Sequence, residues 1–220
     1  MNKNLTEAEE FLEYAITIGA IGFSTEGIPL KSGKVSPYFF NSAVFYDRDR
    51  LWELVDEFVM VINDLQSVPE VLFGPPYKGT VLVPAITMQL LANVGWASNR
   101  KEPKEHAEGG SLLGSSLRGK RVIIVDDVYT DGKTKRDSVK LIQDYGGTVT
   151  AIVVAFDRME TAGESDYSES RLFEIQQGIP VYSVATMADM VHLLEKSPPR
   201  LVPQENIDAV LTYYKKHCTA

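Results

Sequence analysis

Two hydrophobic rhythms alternate along the chain. One repeats at three- and four-residue steps, the signature of a helix with one apolar face. Thr6-Glu7-Ala8-Glu9 spells a capping box, and Phe11, Leu12, Ala15 and Ile16 follow on one face until Gly19. Leu51, Leu54, Val55, Phe58, Val59 and Ile62 mark a second helix over 49–65. Further helices are predicted over 80–93, from Thr134 to the stop at Gly146-Gly147, over 171–177 and 187–195, and after the break at Ser197-Pro198-Pro199. The other rhythm is a short, unalternating apolar run, which reads as a strand buried on both faces. Such runs occupy 71–73, 96–99, 122–125, 149–156 and 180–185. Between Phe23 and Phe45 the alternation is poor, and Gly27, Pro29, Gly33 and Pro37 cut the stretch into strand pieces and turns. Helices alternating with fully apolar strands predict an α/β fold, a central, mostly parallel sheet flanked by helices. Without repeats or a low-complexity linker, residues 1–220 read as a single domain.

Composition narrows the partners. A net charge of −8 argues against non-specific binding to nucleic acid or to an anionic membrane, and makes any basic cluster a local exception. The polar N-terminus offers no signal peptide, and no apolar run approaches the roughly 20 residues of a membrane span. One cysteine, Cys218, cannot close an internal disulfide, which fits a reducing, cytoplasmic setting.

The candidate chemistry centres on 121–135. An apolar strand ends in Asp126 and Asp127; a polar turn containing Gly132 follows, and then a helix. Backbone N–H groups of such a turn and of the helix N-terminus form an anion seat. Two carboxylates beside it would repel a bare phosphate. They suit a ligand that also carries hydroxyl donors or a divalent cation, as a phosphorylated sugar with a free diol does. Gly132-Lys133-Thr134 matches the end of a nucleotide-binding P-loop, but the glycine required five positions earlier is Asp127. A plain strand-to-helix connection with two solvated acids is the bland alternative.

This stretch resembles the phosphoribosyl pyrophosphate signature of the type I phosphoribosyltransferases. The resemblance implies that Asp126 and Asp127 bind the ribose hydroxyls. It implies that the turn Val128, Tyr129, Thr130, Asp131, Gly132, Lys133 and Thr134 binds the substrate, with Thr130 to Thr134 around the 5′-phosphate. The chain departs from the family at Tyr129, Asp131 and Lys133, and Asp131 brings a negative charge toward that phosphate. Four more segments resemble the orotate phosphoribosyltransferases within this family. LKSGKVSPYFFN implies Lys31 at the diphosphate and Phe39 and Phe40 at the orotate site. GPPYKG implies Tyr77 and Lys78 at the diphosphate, with Pro76 where the family commonly has alanine. NRKEPKEHAEGG resembles a flexible lid, about 100–115, that closes over the partner subunit's site. There Arg100, Lys101, Lys104 and His106 would neutralise the leaving diphosphate. FDR implies Arg158 against the orotate ring, near Thr130.

The resemblance spans roughly Lys31 to Arg158. It implies the type I fold with a small N-terminal hood, a homodimer sharing its lids, and Mg²⁺ as cofactor, held mainly through the substrate with no protein metal site. The catalytic candidates are Lys104, His106, Asp126 and Asp127. The implied reaction transfers phosphoribosyl from phosphoribosyl pyrophosphate to N1 of orotate, in pyrimidine biosynthesis. A regulatory protein sensing the activated sugar, or a transferase for a purine base, stands as the alternative; neither needs the full set of Phe39, Phe40, Lys104 and Arg158.

Overall fold

The computed structural model describes residues 5–30, 33–100, 112–163, 165–196, 198–200 and 202–219. Helix α1 (Glu7–Thr17) starts on the predicted capping box, with Thr6 and Glu9 exchanging side-chain bonds to each other's backbone N–H. Strands β1 (Ile21–Pro29) and β2 (Val35–Phe40) form an antiparallel hairpin, the hood. A short 3-10 turn (Ser42–Val44) leads into α2 (Arg48–Asn63), capped by Asp47.

The rest of the chain is α/β. Its elements are β3 (Val71–Gly74), α3 (Lys78–Gln89), β4 (Gly95–Asn99), β5 (Leu112–Gly114), β6 (Arg121–Tyr129), α4 (Lys133–Asp144), β7 (Thr148–Asp157), α5 (Glu169–Gln177), β8 (Val181–Thr186), α6 (Met187–Lys196) and α7 (Gln204–His217). The main sheet has the order β5-β4-β3-β6-β7-β8, and only the β4–β5 pairing is antiparallel. Strand β5 lies within a segment where the sequence predicts loop, because Leu112–Gly114 finds free backbone partners on the outer edge of β4.

Successive residues of β6 face opposite layers. Ile123 and Val125 pack with Leu54 and Phe58 of α2, whereas Val122 and Ile124 pack with Val139, Ile142 and Phe173 of α4 and α5. Leu54 and Phe58 are fully buried. Each contributes on the order of 1.5–3 kcal/mol, so packing more than propensity holds α2 in place. The chain moves outward from β3 to β4, then returns to lay β6 on the other side of β3. That reversal opens a crevice at the carboxyl ends of β3 and β6, where open α/β sheets bind ligands. Among the described residues no helix is long and apolar enough to cross a membrane.

Candidate active site

Strand β6 continues past its apolar run to Tyr129, because Asp126 and Val128 still pair with Val154 and Phe156 of β7. The ladder thus carries both acids within the strand, where neighbouring side chains diverge. Asp126 meets α4: its Oδ2 accepts from Lys135 Nζ at 2.7 Å, and its Oδ1 from the Asp127 backbone N–H at 3.0 Å. Lys135 is 3% exposed and also donates to the Val128 carbonyl at 2.6 Å. Burial pushes the Asp126 carboxyl above its ordinary range, aided by the charge of Asp127 and opposed by Lys135. Asp127 meets the hood side instead: Ser42 donates its hydroxyl to Oδ2 at 2.6 Å, and the Val128 N–H donates to Oδ1 at 2.9 Å. Both acids nonetheless open onto one cavity of about 690 Å³.

The turn between β6 and α4 requires Gly132. Its φ is +66°, and a Cβ there would stand 2.6 Å from the Tyr129 hydroxyl. Thr130, Asp131, Lys133 and Thr134 are exposed and line the cavity rim. The Asp131 carboxylate folds back to accept the Lys133 N–H at 3.0 Å. One donor of the anion seat is therefore held by an internal anion. The Tyr129 side chain turns away from the cavity, so any part Tyr129 takes in the turn falls to its backbone. Its side chain is 1% exposed, lies edge-on to Phe173, and fills the space beneath the turn. The residue after the acid pair's hydrophobic neighbour returns to the core, so the ring supports the turn from below.

Phe39 and Phe40 divide as strand geometry demands. Phe40 stacks on Phe156 at 5.8 Å with planes 5° apart, while Phe39 stays 37% exposed; both line the cavity. Arg158 also lines it, but it is 4% exposed and already engaged. Its Nε donates to Glu160 at 2.7 Å, its Nη2 to Ser36 at 2.9 Å, and its guanidinium lies 4.3 Å from the Tyr38 ring centroid. A surface pair of Arg158 with Asp157 or Glu160 is what the residues alone suggest for a non-functional arginine; the pair forms with Glu160, but buried and lining the cavity.

Tyr77, Lys78 and Arg100 occupy the carboxyl ends of β3 and β4, on the same sheet edge, but do not form part of this cavity's wall. The β3–α3 loop is drawn against β6: a Cβ on Gly79 would stand 2.6 Å from the Val125 carbonyl oxygen. Lys31, Lys101, Lys104 and His106 lie outside the described residues. The residues alone gave no site role to Ser42, Lys135, Lys34, Ser36 or Glu160, the last entering only as a surface partner of Arg158. Only Lys34 carried a local signal, a second lysine beside Gly33. Among the described residues the cavity wall holds five carboxylates (Asp126, Asp127, Asp131, Glu160, Glu169) against four bases (Lys34, Lys133, Lys135, Arg158). A polyanionic ligand would need further positive charge from elsewhere.

Residues 42–201 match the phosphoribosyl transferase domain family. The hood hairpin precedes that stretch, but longer similarities include it. The orotate phosphoribosyltransferase of Nitrosococcus oceani is 37% identical over 212 residues, covering 94% of this chain and 94% of that protein. That of Thiobacillus denitrificans is 38% identical over 211 residues, covering 94% and 96%. Among solved structures, the orotate phosphoribosyltransferase of Francisella tularensis superimposes with a TM-score of 0.79 at 28% identity, covering 96% of this chain and 100% of that one. The fold is thus shared along nearly the whole chain, and this chain belongs to the phosphoribosyl transferase family, among the orotate phosphoribosyltransferases.

Proposed function

We propose that the protein transfers the phosphoribosyl group of phosphoribosyl pyrophosphate to N1 of orotate, releasing diphosphate and orotidine 5′-phosphate in pyrimidine nucleotide synthesis. One observation carries this reading. A single cavity brings together an acid pair, a glycine turn at a helix N-terminus, an exposed phenylalanine and a buried arginine.

Asp127, backed by Ser42, and Asp126, backed by Lys135, are positioned to accept hydrogen bonds from the ribose hydroxyls. Thr130, Lys133, Thr134 and the turn's free N–H groups would hold the 5′-phosphate at the start of α4. The Phe39 ring offers a face for the flat acceptor, and Arg158 meets its carboxylate. In the reaction the C1′–O bond to diphosphate breaks as the N1–C1′ bond forms, and the N1 proton leaves. Positive charge gathers on the sugar and negative charge on the leaving group, so preorganised charge and exclusion of water do the catalytic work. The hard oxygen donors of Asp126 and Asp127 suit Mg²⁺ arriving with the substrate, and the excess of carboxylates leaves room for its charge. When bound, the ion would neutralise diphosphate.

Arg100, Lys101, Lys104 and His106 would supply the remaining positive charge from a lid. The lid acts across a homodimer in this reading. Supporting it, Trp52 of α2, Val81 and Met88 of α3, and Leu91 just past α3 leave large apolar side chains exposed. The unpaired Cys218 and the chain's acidic balance fit a cytoplasmic enzyme.

The deciding experiment follows orotate absorbance with and without phosphoribosyl pyrophosphate and Mg²⁺. Consumption that needs all components supports the reading. Tight binding of the activated sugar without product would make the protein a ligand sensor. Lys104→Ala is expected to lower turnover on the order of 10²–10³-fold with little change in substrate binding. Unchanged turnover would remove Lys104 from the mechanism.

A further inference from the structure

Arg158 and Glu160 sit on either side of Met159, whose φ of 50° lies in the left-handed region. Such a conformation in a non-glycine residue costs on the order of 1–3 kcal/mol and persists where its surroundings hold it. Here the Asp157 carboxylate accepts the Met159 N–H at 2.9 Å. The bend brings two alternate side chains into contact, Arg158 Nε to Glu160 Oε1 at 2.7 Å. The same carboxylate is gripped from two distant parts of the chain. Tyr213 of α7 donates to Oε1 at 2.9 Å, and Lys34, in the hood turn, donates to Oε2 at 3.2 Å. Ser36 of the hood takes the far end of the guanidinium, and Tyr38 lies against it.

A structural ion pair needs only two charges. This cluster has three, and Lys34, Arg158 and Glu160 all line the cavity. Within the cluster two cations share one anion; Glu169, whose backbone N–H donates to the Glu160 carbonyl at 2.9 Å, also lines the cavity, as do Phe39 and Phe40. Every hydrogen bond to Glu160 also limits where Arg158 can point, because its guanidinium is anchored at both Nε and Nη2.

We propose that Glu160 is a positioning residue that locks the Arg158 guanidinium, and that Lys34 is the second cation of the acceptor seat. Together they present two cations, both anchored on one carboxylate, to a planar acceptor bearing one carboxylate. The inference rests on the function proposed above and extends it to residues outside the phosphate turn and the lid. It also gives the hood hairpin and α7 a shared task, since Lys34, Ser36 and Tyr213 each hold one side of the cluster.

The test uses the full-length protein with Lys34→Met and Glu160→Gln, the latter keeping a hydrogen-bond acceptor for Arg158 and Tyr213. KM is measured separately for orotate and for phosphoribosyl pyrophosphate, together with inhibition by uracil, the neutral ring without the carboxylate. Lys34→Met is expected to raise the orotate KM on the order of tenfold, as for one lost charge-assisted hydrogen bond. The KM for the activated sugar should stay within about twofold, and uracil inhibition should not move. In Glu160→Gln the charge-assisted anchor of Arg158 and Lys34 becomes a neutral one; the loss of positioning should outweigh the lost repulsion of the acceptor's carboxylate and raise the orotate KM severalfold with the same selectivity, whereas a lowered orotate KM would overturn the positioning role. A merely structural role would lower thermal stability without separating orotate from uracil. Equal shifts for orotate and uracil, or a shift shared with the sugar, would overturn the inference. Wild-type protein that does not consume orotate would instead overturn the function it rests on.

Discussion

Asp126 and Asp127 are neighbours in the chain with opposite surroundings. Asp126 is 8% exposed and ion-paired with a lysine that is itself buried, a pair whose disruption from one side leaves a charge without a partner. Lys135→Met is therefore expected to cost about 3–5 kcal/mol in urea unfolding. Asp126→Asn combined with Lys135→Met should recover most of that loss while activity stays low. If the single variant unfolds like wild type, the pair carries no weight in folding. Asp131 poses a different question, since its carboxylate occupies an N–H of the phosphate turn. Asp131→Asn keeps the acceptor and removes the charge. Calorimetry should show phosphoribosyl pyrophosphate binding severalfold tighter at low ionic strength, the gain shrinking at about 0.5 M salt. No gain at low salt would mean that the carboxylate does not compete with the ligand's phosphate. The acid pair, the turn and Phe39-Phe40 were readable from sequence because their spacing is local. Ser42, Ser36 and Lys34 were not: their partners are 85, 122 and 126 residues away.

At the scale of elements, the acidic face shared by α1 and α2 stores a cost. The Glu57 carboxyl is pushed up to about 7, by burial first and then by Asp56, Glu7, Glu53 and Glu10. Its folded-state value lies above the unfolded one, so the folded protein binds the extra proton. Stability from this group is present below the unfolded value and is lost as pH rises through about 7. Glu57→Gln should raise Tm at about pH 8 and leave it unchanged near pH 4. A Tm gain of equal size at both pH values would assign the effect to something other than charge. Element boundaries show the same contest between local and distant forces. The apolar run predicted a strand ending at Val125, but pairing with β7 extends β6 through two aspartates to Tyr129. Helix α3, expected near 80–93, spans Lys78–Gln89, because the close approach of Gly79 to Val125 starts it earlier. Propensity yields where a neighbouring strand or a tight contact supplies backbone partners.

For the whole molecule, the open question is assembly. If the lid serves the partner's cavity, mixing Asp127→Asn with Lys104→Ala subunits should restore about one quarter of wild-type activity. Half the dimers would then be mixed, each with one site that has both an intact acid and an intact lid. No recovery after subunit exchange would place each lid over its own site. Leu91→Glu should shift the protein toward monomer in sedimentation and lower activity with it. A monomeric wild type would remove the shared lid from the mechanism.

Strand-length apolar runs and amphipathic helices can be read along the chain because each reflects burial that every turn or strand needs locally. They determined an α/β sheet, and the acid pair and glycine turn pointed to a phosphorylated sugar as ligand. Tertiary structure alone decided which face each aspartate takes, that the Tyr129 side chain packs in the core, and that Arg158 is buried against Ser36 and Tyr38. The contacts of Asp127 with Ser42 and of Arg158 with Ser36 close across 85 and 122 residues. Sequence spacing holds no trace of them, because the entropy of bringing such distant groups together is offset only by packing of the whole molecule.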